Sequence, residues 1–282
     1  MTLKINAETN YGDSEPCVAA WSNKLFVGTE NGFIASFNPD LSPATKWAAH
    51  EVQIFALAAN DSSVFSASND GNIRVWNTNG EKIKEIPTSG SDIESLFIHG
   101  KNLYSGDEAG NVFVFENNEP KAAYSVLEEV KDIKVNLPYM FTARDLYVTV
   151  TEIKPEESKD RFVTRHVMEG RAPLALLQPY LLTVARGGYN LQLHDLSFES
   201  RFKKLHEIKA SDMIVTSLSA IDTFAWTGGW DGIVRRWKIA DNKIEAAGEI
   251  NLGCCVNALV ATTAEDAYAI LTGGRIVHVK SE

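Results

Sequence analysis

The chain has little of what covalent and metal chemistry usually requires. Its three cysteines cannot all pair, and no further Cys or His stands beside them at ligand spacing. Cys254 and Cys255 are adjacent in a stretch that reads as a strand, which points to reduced core thiols rather than a metal centre or a redox switch. The six histidines are scattered. No Walker-type phosphate loop, dinucleotide glycine pattern, His-Glu-x-x-His motif or Gly-x-Ser-x-Gly elbow occurs. His206-Glu207 and Glu128-Glu129 are the nearest approach to acid/base pairs, but they fall in segments that read as outer strand or loop, where charges are solvated. The sequence therefore offers no catalytic residue, no metal ligand and no cofactor site.

Other shortages narrow the class further. No stretch approaches the roughly 20 apolar residues needed to span a bilayer, and the first ten residues lack the apolar core of a secretory signal. A soluble protein inside the cell, in cytoplasm or nucleus, is expected, with no membrane insertion. The net charge of −10 repels a phosphate backbone over most of the surface and disfavours nucleic-acid binding, leaving open a local basic patch. Apolar residues at helical spacing over about 11 positions are scarce. With 44% hydrophobic and 23% charged residues, the composition is nevertheless that of a packed core.

What is present is a repeat. Its clearest copy runs from His50 through Ile54-Phe55-Ala56-Leu57, then Val64 to Ser68, an Asp70-Gly71 turn, and Asn72 to Trp76. Gly tolerates the positive φ of a tight turn, so two alternating segments around Asp-Gly read as a hairpin. Equivalent turns fall at Asn31-Gly32, Ala109-Gly110, a shortened turn at Asp145, Gly187-Gly188, Asp231-Gly232 and Gly273-Gly274. Gly32, Gly71 and Gly110 are 39 residues apart, the length of a four-stranded unit. Seven repeats follow, and the expectation is a single all-β domain over 1–282: a seven-bladed propeller of four-stranded antiparallel blades. The seventh repeat has candidate strands at Val256–Ala261, Ala267–Thr272 and Arg275–Lys280 and lacks one. Thr2 to Glu8, within residues 1–10, could supply it and close the ring, with a frayed tail as the competing possibility.

At the second repeat the residues resemble the WD-repeat family, with His50 before the first strand, Ser66 in the second, Asp70 in the turn and Trp76 ending the third. The sixth repeat is similar through Ser211, Thr227, Asp231 and Trp237. The resemblance implies that these residues form a buried hydrogen-bonded chain, as polar groups taken out of water require. A nucleophilic triad from the same residue types is the competing reading, and the periodic setting opposes it. Elsewhere the motif is eroded: Phe37 and Phe115 replace the Trp of the first and third repeats, and Val150, His194 and Val279 stand at its place in the fourth, fifth and seventh.

Function is then expected to be non-catalytic: a protein-interaction scaffold or adaptor subunit of a multiprotein complex, binding a partner peptide or domain on the face around the channel. Aligning the repeats puts Phe55, Glu94, Lys131, Pro173 and Thr216 at the channel mouth, with Asp107, Arg144, Arg186 and Trp230 in the neighbouring turns. That face would be acidic at Glu94 and Asp107, with Asp92 and Glu108, and basic at Lys131, Arg144, Arg171 and Arg186. Trp230 and Arg186 are the expected anchors, since Trp and Arg are enriched at interface hot spots; packing of Trp230 on an adjacent blade is the alternative. A second function class is a nucleic-acid reader using the basic patch on blades four and five. A polar insertion from Ile153 to Arg161 reads as a surface loop, with a partner contact or a phosphorylation switch at Ser158 as the sharper possibility.

Overall fold

The computed structural model describes residues 2–12, 14–157 and 160–282, so Ser158 lies outside the described residues. Among the described residues there are 28 strands and no helix. They form seven four-stranded antiparallel sheets, six of them built from four consecutive strands. The seventh takes Val256–Ala261, Asp266–Leu271 and Arg275–Ser281 from the end of the chain and Leu3–Asn10 from its beginning. Leu3 pairs with Ser281 and Asn10 with Arg275, so the N-terminal strand completes the last blade.

Contacts divide the chain into two compact units. One comprises Cys17–Pro39 and Pro43–Met168 and holds the first four blades; the other comprises Met1–Pro16, Asp40–Ser42 and Glu169–Glu282 and holds blades five to seven. Within each unit the strands follow one burial rule. The second strand is buried along nearly its whole length, as in Ser63–Ser68 and Phe224–Gly229, whereas the fourth keeps much of its surface open, as in Pro43–Ala48 and Lys204–Lys209. A strand covered on both faces tolerates a continuous apolar or small-residue run, and a fourth strand facing solvent does not. In blades one and six one position of the second strand must stay small. Glycine occupies it in Gly28 and Gly228, where an added Cβ would come within 2.8 Å of Val18 and 2.5 Å of Val256 respectively. In blade two the same place holds Ala67, fully buried beside Ile73, Val75 and Ile93.

The turn between second and third strands is longer than the two-residue hairpin that Asp-Gly suggests. In blade two the last ladder pair is Ala67–Ile73, Gly71 has φ +70°, and Asp70 Oδ1 accepts from the Asn72 amide at 3.1 Å. The carboxylate holds the chain reversal in place of a tighter backbone turn. The first strand carries a second recurring device. Its register slips between Ile54 and Ala56, Ile93 and Ser95, Arg171 and Leu174, Val215 and Ser217, and Val256 and Ala258. Each slip is a β-bulge, which takes one or two residues out of the sheet's strict alternation. The polar insertion of the fourth blade lies between Tyr147–Ile153 and Phe162–Glu169, its third and fourth strands.

Cys254 and Cys255 depart from expectation. They precede the strand Val256–Ala261 rather than lie on it, and both are half-buried free thiols. Their segment turns through Gly253 at φ +83°, which ends strand pairing before the cysteines are reached. No helix of the described residues is long and apolar enough to cross a membrane.

Candidate interaction surface

The second blade builds its polar core from three segments. Trp76 Nε1 donates to Ser66 Oγ at 2.9 Å, Ser66 Oγ lies 2.8 Å from His50 Nε2, and His50 Nδ1 lies 3.1 Å from Asp70 Oδ2. A carboxylate can only accept, so Nδ1 carries the proton and Nε2 accepts from the Ser66 hydroxyl. Every donor in the chain then points the same way, from indole to carboxylate. Burial holds the His50 imidazole below its ordinary pKa, against the opposing pull of the Asp70 hydrogen bond, in keeping with a neutral ring. Arg74, four residues after Asp70, completes the site: its Nη2 is 2.8 Å from the Asp70 carboxylate and its Nη1 donates to Ala49 O at 2.6 Å.

These distances are those of a Ser-His-Asp triad, and accessibility separates the two cases. Ser66 is fully buried, and its hydroxyl oxygen already accepts the Trp76 indole N–H. No substrate carbonyl reaches a nucleophile so enclosed, since attack needs the reacting atoms about 3 Å apart.

The sixth blade divides the same chain in two. Trp237 Nε1 donates to Thr227 Oγ1 at 2.9 Å, while Ser211 Oγ donates to Asp231 Oδ2 at 2.8 Å and Arg235 Nη1 sits 2.7 Å from that oxygen. Burial raises the Asp231 pKa, but hydrogen bonds from Arg235, the Ile233 amide and Ser211 outweigh it and leave the carboxyl below its usual range. Arg74 and Arg235 were not among the sequence-derived candidates, although a signal for them exists. Asp70-Gly-Asn-Ile-Arg74 and Asp231-Gly-Ile-Val-Arg235 carry Arg at the same offset from the turn carboxylate.

The expected partner-binding residues fall into different circumstances in the two units. In the unit of blades one to four, Phe55 and Glu94 are half-buried bulge residues at the start of their first strands. The Glu94 carboxyl is raised to about 6, by burial first and then by Glu129, with Glu108 and Asp92 adding to the effect against Lys131. Asp107 is a correction. It is 1% exposed, and its carboxylate accepts from Ser89 Oγ at 2.6 Å and from the Asn111 amide at 2.7 Å, so it ties a loop to a turn and is closed to partners. The basic character expected at blade four is also corrected. Lys131 precedes an unbulged strand and pairs with Asp145 at 2.7 Å and Glu129 at 3.3 Å, while Arg144 pairs with Glu128 and lies over the Tyr147 ring. Sequence alignment placed the cations but not the neighbouring carboxylates that neutralise them.

In the unit of blades five to seven, Arg186 pairs with Glu169 at 3.1 Å and Arg171 opens the first strand of blade five, half-buried. Trp230 is 55% exposed, beside Asp231 in the turn of blade six. It has company that the alignment missed, because the residues belong to separate loops. Its amide donates to Ile214 O at 3.0 Å, the Val215 amide donates to Gly188 O at 2.8 Å, and the Ser211 amide donates to Tyr189 O at 3.0 Å. These backbone bonds gather Tyr189, Met213 and Trp230, respectively 45%, 46% and 55% exposed, at one end of blades five and six. Thr216 is the half-buried bulge residue of its first strand, the place that Phe55 and Glu94 hold in theirs, and its hydroxyl donates to Val256 O with Gly228 O 3.2 Å away. The carboxyl of Glu207, next to His206, is lowered to about 2 by hydrogen bonds from Asn190, then Lys204 and Gln192, and serves as a permanent anion on a fourth strand.

Comparison with known proteins agrees with this geometry where it is sharpest. The family model for the WD domain, G-beta repeat, matches residues 41–77, which contain the His50, Ser66, Asp70 and Trp76 chain. The solved structure of U3-55K superposes with a TM-score of 0.83 at 14% identity, covering 99% of this chain and 98% of that one. The chain is a β-propeller whose second blade is similar to the WD40 repeat. Curated proteins give no match, and 1648 solved chains match the structure, so the propeller itself does not select a function. Function has to be argued from what the blades present.

Proposed function

We propose that this WD-repeat propeller is a non-catalytic interaction scaffold, an adaptor subunit of a multiprotein complex that takes a partner peptide or domain at the turn end of its blades. The observation that carries the reading is the exposed group of Tyr189, Met213 and Trp230. Large apolar side chains scattered singly over a surface are ordinary, but three held together by loop-to-loop backbone bonds form a patch. Trp and Tyr lose little conformational freedom on binding and are the residues that most often dominate interface energies. The propeller contributes rigidity: the backbones beneath the patch are fixed to strands whose neighbours are buried.

A nucleic-acid reader draws less support from the same geometry. Of the four cations proposed for it, Lys131, Arg144 and Arg186 are each neutralised by a carboxylate within their own unit. Charges already paired release few counterions on meeting a phosphate backbone.

Affinity purification of the full chain and of its Trp230→Ala and Met213→Ser variants, followed by mass spectrometry, tests the scaffold reading. Partners recovered with the unaltered chain are expected to disappear from both variants, whose melting curves stay unchanged. Equal recovery by folded variants would overturn the assignment of this end as the docking surface.

A further inference from the structure

We infer that the patch on blades five and six selects an extended peptide of acidic and apolar residues, whose apolar side chains cover Tyr189, Met213 and Trp230 while a carboxylate binds the guanidinium of Arg171. The inference rests on the scaffold reading and adds the chemistry of the partner. Four cations lie near this end of the unit, and three have an acid of their own: Arg186 with Glu169 at 3.1 Å, Lys209 with Asp212 at 2.6 Å, and Arg235 with Asp231 at 2.7 Å. Arg171 has neither an ion pair nor a hydrogen bond to its guanidinium among the described residues. It is half-buried all the same. The burial is that of its stem: the guanidinium nitrogens stay open to solvent with no acceptor among the described residues, and so are free to donate to an incoming anion.

Its position links that charge to the apolar patch. A Cβ placed on Gly188 would lie 2.5 Å from Ile214 Cδ1 and 3.7 Å from Arg171 Nη1, so the two side chains meet over a residue that has none. Gly188 has φ +84°, a conformation that other residues rarely adopt, and this keeps the gap open. Ile214 is the residue whose carbonyl holds the Trp230 amide, Met213 precedes it, and Tyr189 follows Gly188. Arg171 therefore sits at the edge of the patch. A single unpaired cation among three exposed apolar side chains matches a carboxylate within an apolar peptide, whereas a nucleic-acid strand requires several free cations along its path.

The test pans a random 12-residue peptide library on the full chain and then measures synthetic copies of the recovered peptides by fluorescence polarisation. Recovered peptides are expected to combine Asp or Glu with Trp, Phe or Leu and to need Trp230. Exchanging the peptide's Glu for Gln should weaken binding roughly tenfold or more on the unaltered chain, the effect of one charge-assisted hydrogen bond. On Arg171→Gln the same exchange should have no effect, and Arg171→Glu should prefer the Lys version. Peptides that need Trp230 but show no acid preference would overturn the inference and leave the scaffold reading standing. Recovery of no peptide that depends on Trp230 would count against both. If the Arg171 variants fail to fold, the Glu and Gln peptides on the unaltered chain decide, and equal affinities overturn the inference. Tighter binding of a 20-nucleotide poly(U) RNA than of any peptide, lost on Arg171→Gln, would replace the peptide with nucleic acid.

Discussion

Blades two and six use one turn for different ends. Both place an Asp-Gly turn before a third strand that carries Trp, and both set an Arg four residues after the Asp. Blade two inserts His50, whose two ring nitrogens span the gap between Ser66 and Asp70. Blade six has Ser211 in that role, and its short side chain bonds to Asp231 and to the Met213 amide but spans no gap to Thr227. A two-ended side chain joins the turn to the sheet, and a one-ended one leaves two separate bonds. At the position before the Asp, blade two carries Asn69 and blade six carries Trp230. The first turn looks inward to its own core; the second offers an aromatic ring to solvent.

The largest expected effect follows from that bridge. His50→Ala removes partners from a buried Ser66 hydroxyl and from Asp70 at once, and should destabilise the protein by about 3 kcal/mol. Ser211→Ala removes one partner from an Asp231 that keeps Arg235 and one acceptor from a Met213 amide that water can reach, and should cost about 1 kcal/mol. Urea denaturation of the two variants checks the ratio. Equal losses would mean that the histidine adds nothing a serine does not.

Acid should separate the blades next. Burial holds His50 below its ordinary 6.5 in the folded state, so the unfolded chain binds a proton more readily as pH falls past that value. Stability contributed by the neutral ring is thus present above about pH 6.5 and lost as pH drops through the lower folded pKa. Melting temperatures at pH 7.5 and 5.5 should fall further apart for the unaltered protein than for His50→Gln. A matching pH dependence in the variant would remove His50 from the account. The converse substitution, Ser211→His, should join Thr227 to Asp231, add about 1 kcal/mol of stability at neutral pH, and bring the same acid sensitivity to blade six. Stability unchanged at both pH values would show that the two blades differ in more than this one side chain.

The contrast also separates what was legible in the sequence from what was not. The glycine turns and the strict 39-residue step among Gly32, Gly71 and Gly110 report backbone geometry, which is local, and blade number and strand order followed from them. The missing strand of blade seven could be assigned to the N-terminus because an unpaired sheet edge is unfavourable wherever the partner lies in sequence. Charge balance is not local in that sense. Lys131, Arg144 and Arg186 read as a basic patch until Asp145, Glu128 and Glu169 are placed beside them, and Asp107 read as exposed until Ser89 and Asn111 closed over it. Trp230 was visible as an aromatic stranded in a turn. Tyr189, Met213 and Arg171 were not, because only the backbone bonds among three loops bring them to it.

The smallest effect on stability should accompany the largest effect on binding. Trp230→Asn gives blade six the residue that blade two carries before its Asp, and over half of the Trp230 surface already faces solvent. Removing a ring in that position costs little burial, and a change in stability within about 0.5 kcal/mol is expected, as for surface sites in general. The Trp230 amide bond to Ile214 O is a backbone bond and survives the exchange, so the loop stays in register. If the ring serves partners, the same substitution abolishes their recovery. Denaturation and affinity capture on one preparation measure both quantities. A stability loss of about 2 kcal/mol or more would instead assign the ring to the packing of blade six, and the difference between the two turns would then be one of architecture rather than of use.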